Sequence, residues 1–138
     1  MPLSPEAFED RVRSARVVAV LGAHVDPSRP AHYVPAALYR AGVRIVPVNP
    51  AFAGQFVHGA RILAGLHEIH EAVDILDVFR PPAALPTHLP EILAMPLRPH
   101  LVWFQSGIAH AGVAAALERA GVPVVQDRCL MIDYRAFG

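Results

Sequence analysis

Five short runs of apolar, largely β-branched residues constrain the fold of this 138-residue chain more than any other feature. Each run is too short for a typical helix, and most are continuous rather than alternating, as expected for strands covered on both faces. The runs comprise residues 17–21, 43–48, 73–79, 101–104 and 122–126. We therefore predict five buried strands of a parallel sheet.

Segments with helical periodicity lie between these runs. Ser4 followed by Pro5 predicts the N-cap and first turn of an initial helix. In residues 31–41 and 109–120, apolar side chains recur at spacings of three and four, and a glycine follows each segment where helices commonly end. Residues 86–95 are predicted to form a shorter helix. The chain thus alternates between strands and helices.

The connection between the second and third strands is the least regular part of the chain. Residues 51–71 are interrupted by glycines, and we expect a loop with a short helical turn near residues 66–70. The alternation elsewhere favours a three-layer, doubly wound α/β fold with right-handed crossovers. We predict a five-stranded parallel sheet in the order 3-2-1-4-5, with residues 1–138 forming one domain.

Composition narrows the class of protein further. The chain is 54% hydrophobic and 17% charged, which favours a folded domain with a sizeable core. Formal net charge is zero and the arginines are dispersed, so we expect neither a nucleic acid nor a membrane as partner; a protein partner is left open. A single cysteine, Cys129, without a signal-peptide pattern favours the cytoplasm.

The basic residues are all arginine, and fourteen residues are proline. This bias fits a heat-adapted protein, and a GC-rich genome would produce the same bias without a physical cause.

A ligand of an open parallel sheet lies beyond the carboxyl ends of the strands, where the strand order reverses. The loop after the first strand begins with Gly22, which allows close approach of the backbone to a ligand. Arg29 lies just before the next helix, whose N-terminus offers free N–H groups to a phosphate. A solvated turn formed by Pro27 and Pro30 is the alternative interpretation of this loop. If this loop binds a phosphate, the sequence predicts a nucleotide-type ligand at the carboxyl ends of the strands.

A dinucleotide such as NAD is disfavoured by two features. The dinucleotide fingerprint needs three glycines here, but His24 and Pro27 occupy the second and third positions. The second strand ends in Val48, Asn49 and Pro50, without the carboxylate that binds ribose hydroxyls.

Five motifs, in register along the chain, resemble those of a known family. They are Gly22 with residues 26–30 (Asp-Pro-Ser-Arg-Pro), residues 46–50 (Val-Pro-Val-Asn-Pro), residues 77–80 (Asp-Val-Phe-Arg), residues 102–108 (Val-Trp-Phe-Gln-Ser-Gly-Ile) and residues 125–129 (Val-Gln-Asp-Arg-Cys). The chain resembles the small, stand-alone CoA-binding domain proteins, which are similar to the CoA-binding domain of the succinyl-CoA synthetase α subunit. The resemblance extends from residue 17 to about residue 134.

This resemblance implies a Rossmann-like fold that holds coenzyme A across the strand ends. By its motifs, the loop after the first strand would face the pyrophosphate with Gly22, Ala23, His24 and Arg29. The end of the second strand would lie near the adenosine with Val48, Asn49 and Pro50. After the third strand, Phe79 and Arg80 would flank the nucleotide, and after the fourth strand, Gln105, Ser106 and Gly107 would lie at the point where the strand order reverses. The family commonly has serine at positions 24 and 31, where this chain has His24 and Ala31. His24 is expected to compensate as a donor to phosphate.

The expected function is binding of coenzyme A or an acyl-CoA without catalysis, because no nucleophile–base pair is evident. Two alternatives stay open: an acyl-CoA-using or redox enzyme with chemistry at Cys129 or His24, and a regulatory module that senses CoA. His67 and His70 are three residues apart rather than four and lack an evident third ligand, so no metal site is predicted.

Overall fold

The computed structural model describes residues 3–138 and has strands and helices in alternation. The strands are β1 (Val17–Leu21), β2 (Arg44–Val48), β3 (Phe56–Val57), β4 (Ala60–Arg61), β5 (Ile75–Val78), β6 (Val102–Phe104) and β7 (Val124–Val125). The helices are α1 (Pro5–Arg13), α2 (Pro30–Arg40), α3 (Leu85–Leu93), α4 (Ala111–Arg119) and α5 (Leu130–Phe137). Short 3-10 turns cover Pro50–Phe52, Leu66–Glu68 and Pro82–Ala84. Each of the five predicted strands contains an observed strand of the main sheet.

The main sheet is parallel throughout, in the order β2-β1-β5-β6-β7. An isolated parallel bridge between Val48 and Leu63 adds one more segment outside β2. Counted along the chain with the Leu63 segment as the third, the order begins 3-2-1-4-5, which confirms the predicted pattern. The predicted order placed the third apolar run, 73–79, at the edge of the sheet beside the second strand. This run is instead β5, and it lies beside β1. All four residues of β5 are buried, and such complete burial suits the centre of a sheet rather than its edge.

Helices cover both faces of this sheet and form two hydrophobic cores. On one face, α3 and α4 pack against a cluster that includes Phe104. On the other face, α1, α2 and α5 pack against a cluster that includes Trp103. These two neighbouring aromatic side chains are fully buried, and each contributes roughly 1.5–3 kcal/mol to folding. The predicted three-layer, Rossmann-like α/β class is confirmed.

Local sequence signals explain several helix boundaries. The Ser4 hydroxyl accepts a hydrogen bond from the Ala7 amide at 3.1 Å, which caps α1 as predicted. Gly42 follows α2 with a φ of 98°, a conformation that glycine adopts at low cost. The helical turn expected near residues 66–70 is the 3-10 turn Leu66–Glu68.

Two elements were not predicted from the sequence. The β3–β4 hairpin turns at His58 and Gly59, both with positive φ, as a two-residue hairpin loop requires. Helix α5 forms after β7 and packs against α1 and α2. Its stability depends on these tertiary contacts, because a helix of this length is marginal in isolation.

Candidate functional site

A cavity of about 660 Å³ opens at the carboxyl ends of β1, β2, β5 and β6. Its wall is formed by the loops that follow these strands, together with the first turns of α2 and α5. The lining residues are Gly22, His24, Arg29, Pro30, Ala31, Tyr33, Val34, Asn49, Phe79, Arg80, Pro81, Gln105, Ser106, Ile108, Cys129, Met131 and Ile132. The cavity therefore lies at the edge of the sheet where the topology predicts a ligand.

A second cavity of about 620 Å³ lies at the opposite ends of the strands, and several of its polar side chains are hydrogen-bonded to backbone groups. Arg11 donates to the His100 carbonyl, and Arg98 donates to the Ala120 carbonyl. The Asp74 carboxylate accepts the amides of Arg16 and Val17, both at 2.9 Å. These contacts tie elements together, so we place the candidate site in the first cavity.

Gly22 lets the loop after β1 cross the end of β5 at close range. Its φ is 89°, and a Cβ at this position would lie 2.6 Å from the Phe79 carbonyl oxygen and 3.2 Å from Cδ of Arg80. The Gly22 amide donates to the Val48 carbonyl at 2.9 Å. Gly22 thus brings the ends of β1, β2 and β5 together, and its lack of a Cβ leaves room for the Arg80 side chain.

The loop between Gly22 and α2 is organised by its own polar side chains. The Asp26 carboxylate accepts the Ser28 amide and hydroxyl, and these hydrogen bonds lower the pKa of Asp26. Nδ1 of His24 accepts the Asp26 amide at 3.0 Å, so a neutral His24 carries its proton on Nε2. The His24 ring packs edge-on against Phe52 with centroids 4.7 Å apart. His24 lines the cavity, and its Nε2 has no hydrogen-bond partner among the described residues.

The N-terminus of α2 borders the cavity without a capping side chain. Arg29 is the N-cap residue and makes no side-chain cap hydrogen bond, and no acidic residue occupies the first turn. Pro30 has no N–H group, and no described group accepts the Ala31 amide. The positive end of the helix dipole is therefore unneutralised and lies beside the Arg29 guanidinium, an arrangement that favours an anion.

Asn49 holds two of the loops together rather than offering free polar atoms. Its Nδ2 donates to the Ala23 carbonyl at 2.8 Å, and its Oδ1 accepts the Ala51 amide at 2.9 Å. The loops after β1 and β2 are thereby fixed next to each other. The side chain lines the cavity, but its main hydrogen-bonding capacity is already used.

Arg80 enters the cavity from the end of β5 and is held by α3. Its Nε donates to Nε2 of His88 at 3.2 Å, and Nδ1 of His88 lies 3.3 Å from the Glu91 carboxylate. This chain of contacts leaves the terminal guanidinium nitrogens of Arg80 without a partner among the described residues. Arg80 and Arg29 supply the positive charge of the cavity.

The remaining wall is formed by α5, with Cys129, Met131 and Ile132 facing the cavity. The start of α5 is fixed by Gln105, whose Oε1 accepts the Leu130 amide at 2.9 Å. It is also fixed by the bidentate pair of Arg128 and Asp133, which raises the pKa of Arg128. The apolar spacing at positions 130, 134 and 137 was the signal that could have revealed this helix from the sequence.

The structure brings most of the predicted site residues to one cavity. Gly22, His24, Arg29, Asn49, Phe79, Arg80, Gln105 and Ser106 line it, and their contact with a ligand stays a prediction. The others do not line it: Ala23 and Val48 are buried in the core, Pro50 is exposed in a 3-10 turn, and Gly107 donates to the Asp127 carboxylate. Sequence reasoning missed the contribution of Tyr33, Met131 and Ile132.

Among the described residues, His67 and His70 do not form a metal-ligating group with a third side chain. Glu68 between them accepts the amides of Ala64 and Gly65, and these hydrogen bonds lower its pKa. Glu68 thus closes a turn. Within residues 3–138, no group of three or more metal-ligating side chains comes together, and no helix is long and apolar enough to cross a membrane.

Comparisons with known proteins point to one family. The family model described as a CoA binding domain matches residues 16–135. The uncharacterised protein YneT of Bacillus subtilis (strain 168) is 32% identical over 133 residues, which cover 96% of this chain and 95% of YneT.

Solved structures of similar proteins are also known. The cell-free ID.343 protein of Thermus thermophilus superimposes with a TM-score of 0.93 at 51% identity, over 99% of this chain and all of the other. A hypothetical protein from Pyrococcus horikoshii OT3 has the same fold, with a TM-score of 0.86 at 23% identity, over 99% of this chain and 96% of that protein. The resemblance noted in the sequence is confirmed, and the chain belongs to the family of small CoA-binding domain proteins.

Proposed function

We propose that this protein binds coenzyme A or an acyl-CoA in the cavity at the carboxyl ends of its strands, and that it does so without catalysis of its own. The observation that carries the proposal is that one cavity combines cationic groups with exposed apolar side chains. Coenzyme A combines the same two properties, because a charged nucleotide is joined to a less polar pantetheine arm that ends in a thiol.

The cationic groups suit the phosphates. The uncapped N-terminus of α2 and the Arg29 guanidinium would receive the pyrophosphate, since free N–H groups and a positive dipole end stabilise such an anion. The Nε2–H of His24 adds a donor at the position where the family commonly has serine. Arg80, held from behind by His88, is assigned to the 3′-phosphate.

The exposed apolar side chains of the cavity suit the pantetheine arm. Tyr33 and Ile132 are large hydrophobic side chains that stay 43% and 62% exposed, and both border the cavity. Covering them with a ligand removes apolar surface from water, which is favourable at roughly 25 cal/mol per Å². Exposed apolar groups beside a polar cleft commonly mark a binding site.

Hydrogen bonding also favours coenzyme A over NAD. A dinucleotide site of this fold needs a carboxylate at the end of β2 to accept the ribose hydroxyls. Asn49 occupies that place, and its carbonyl oxygen already accepts the Ala51 amide. The bound ribose diol of NAD would therefore lack its usual acceptor.

The absence of catalysis is supported by the way in which candidate groups are used. Nδ1 of His24 is occupied by the Asp26 amide. In the part of the chain that the structure describes, no histidine or carboxylate forms a hydrogen bond with the Cys129 thiol. A steady turnover of acyl-CoA by the purified protein would contradict this part of the proposal.

The test is a substitution that should weaken phosphate binding without destabilising the fold. Ala31→Glu places a negative charge in the first turn of α2, which stabilises the helix dipole and repels a phosphate. We expect this variant to melt no lower than the wild type and to bind CoA at least about tenfold more weakly, since a charge-assisted contact is worth about 1.5–3 kcal/mol.

Ala31→Gln is the matched neutral control, and it should bind CoA within a few-fold of the wild type. Calorimetry with CoA and NAD on the three proteins measures both predictions. Tighter binding of NAD, or equal CoA binding by all three proteins, would refute the proposal. Mass spectrometry of the protein purified without added cofactor identifies the bound ligand directly.

A further inference from the structure

Helix α3 carries one titratable side chain on its buried face. Leu85 and Ile92 anchor this helix in the core, where both side chains are buried. His88 lies between them at spacings of three and four residues, which place all three side chains on one face of the helix. Nδ1 of His88 is buried and forms no hydrogen bond, and a buried polar atom of this kind lowers stability. The fold alone would therefore favour an apolar residue at this position.

The other ring nitrogen of His88 is bonded to Arg80. Nε2 lies 3.2 Å from Nε of Arg80, and an arginine Nε is always a donor, so Nε2 accepts the hydrogen bond and carries no proton. A neutral His88 therefore has its proton on Nδ1. The Glu91 carboxylate lies 3.3 Å from Nδ1, and its negative charge favours a proton there. Glu91 thus supports the tautomer of His88 that can accept from Arg80.

The Arg80 side chain is confined at two points along its length. Nε is bonded to His88, and Cδ lies where Gly22 leaves space, 3.2 Å from the position that a Cβ at residue 22 would take. Arg80 lines the cavity, and its two terminal nitrogens have no partner among the described residues. His88 itself does not line the cavity, so it can act on a ligand only through Arg80.

We infer that His88 is a positioning residue that makes the cavity selective for CoA over dephospho-CoA, because it holds the Arg80 guanidinium in place for the 3′-phosphate. The inference rests on the proposed function, which assigns Arg80 to that phosphate. A free arginine loses rotamer freedom when it binds a phosphate, whereas an arginine that is already held has less freedom to lose. His88 therefore strengthens the binding only of ligands that contact Arg80.

The experiment replaces His88 by leucine and, as the matched control, by glutamine. Leucine suits the buried face of α3, so His88→Leu should melt no lower than the wild type. Glutamine keeps a side-chain acceptor for the Arg80 Nε–H group. In calorimetry, His88→Leu should bind CoA about two- to tenfold more weakly and dephospho-CoA as tightly as the wild type. His88→Gln should bind both ligands about as tightly as the wild type.

A second comparison separates positioning from a general effect on the fold. In the Arg80→Ala background, His88→Leu should cause no further loss of CoA affinity, because both changes remove the same contact. A histidine that merely supports α3 would instead weaken both ligands, with or without Arg80. Equal losses of CoA affinity in His88→Leu and His88→Gln would exclude the hydrogen bond as the cause. Either result would overturn the inference.

A measurement on the free protein tests the tautomer directly. In mildly alkaline solution, nitrogen-15 NMR should show His88 protonated at Nδ1 and unprotonated at Nε2. A proton on Nε2 would overturn the inference, because that nitrogen could then not accept from Arg80.

The outcomes also separate this inference from the proposed function. If Arg80→Ala weakens CoA but His88→Leu binds CoA as tightly as the wild type, the inference is wrong while the proposed function stands. If Arg80→Ala leaves CoA binding unchanged, the assignment of Arg80 to the 3′-phosphate fails, and the inference fails with it. If the wild type does not bind CoA at all, the proposed function and the inference both fail.

Discussion

Replacing Asp77 by asparagine should stabilise the fold at neutral and alkaline pH. Asp77 lies in β5, paired on either side with Val20 of β1 and Trp103 of β6. It is fully buried, and neither carboxylate oxygen has a hydrogen-bond partner among the described residues. Burial raises the pKa of Asp77 well above its usual range, because the charged form would lose its hydration without compensation.

The sign of the effect follows from proton linkage. In the unfolded chain Asp77 releases its proton near its ordinary pKa of 3.8, whereas the folded protein keeps it to a higher pH. Between these two values the folded state binds more protons, so each pH unit costs the wild type on the order of 1 kcal/mol of unfolding free energy. This loss of stability is absent at pH values below the pKa of Asp77 in the unfolded chain. It stays constant at pH values above the pKa of Asp77 in the folded protein. Asparagine has no proton to lose, so this dependence disappears.

Urea unfolding of the wild type and Asp77→Asn from pH 5 to pH 9 measures the difference. The stability of the variant relative to the wild type should increase with pH, on the order of 1 kcal/mol per unit, until the folded pKa is passed. Asp74→Asn is the matched control: Asp74 is partly exposed and accepts two backbone amides, so its loss should destabilise the fold. A difference between Asp77→Asn and the wild type that stays constant across this range would refute the reasoning.

Further predictions concern the arginines, one glycine and one histidine. Arg29→Ala should weaken CoA and dephospho-CoA equally, and Arg80→Ala should weaken CoA alone, by about ten- to a hundredfold in calorimetry; no loss in either variant would contradict the assignment. Gly22→Ala should destabilise the fold more than Gly42→Ala, because both glycines have positive φ but only a Cβ at Gly22 meets backbone, at 2.6 Å from the Phe79 carbonyl; equal melting temperatures would contradict this. The pKa of His58 is lowered to about 4, chiefly by burial, so stability should fall as the pH drops from about 6.5 to 4. Asparagine tolerates the φ of 51° at this position, so His58→Asn should reduce the loss of stability in acid. Unfolding experiments between pH 6.5 and 4 measure this loss, and an unchanged loss in the variant would exclude His58 as its source.

The fold was predictable where one local signal decides the structure. Continuous apolar runs gave the strands, and the Ser4–Pro5 pair and Gly42 gave helix boundaries. The identity of the third strand was not predictable in this way. Its position depends on whether the segment near Leu63 or the run 73–79 pairs with β2, and that choice is made by non-local packing. Helix α5 did carry a local signal in its apolar spacing, but that signal is short, and the helix depends on packing against α1 and α2.

The site was predictable to the extent that the topology of the sheet alone brings residues close together. Parallel strands end at one edge, so the residues after β1, β2, β5 and β6 meet there whatever their chemistry. The wall from α5 lay outside that argument, because it depends on a helix folding back across the sheet. Side-chain direction was also undetermined, which is why Ala23 and Val48 were included although both are buried in the core.

What the sequence could not distinguish is a polar atom that is already bonded from one that is free. Asn49 and Glu68 both had the chemistry of a site, yet their oxygens accept backbone amides within the protein. Cavity atoms without a partner in the described part of the chain include Nε2 of His24, the Ala31 amide, Nε2 of Gln105 and the terminal guanidinium nitrogens of Arg80. All of these are donors, so they suit an occupant that supplies acceptors. A phosphorylated nucleotide with an amide-containing arm would meet that requirement, which supports the proposal that CoA binds here.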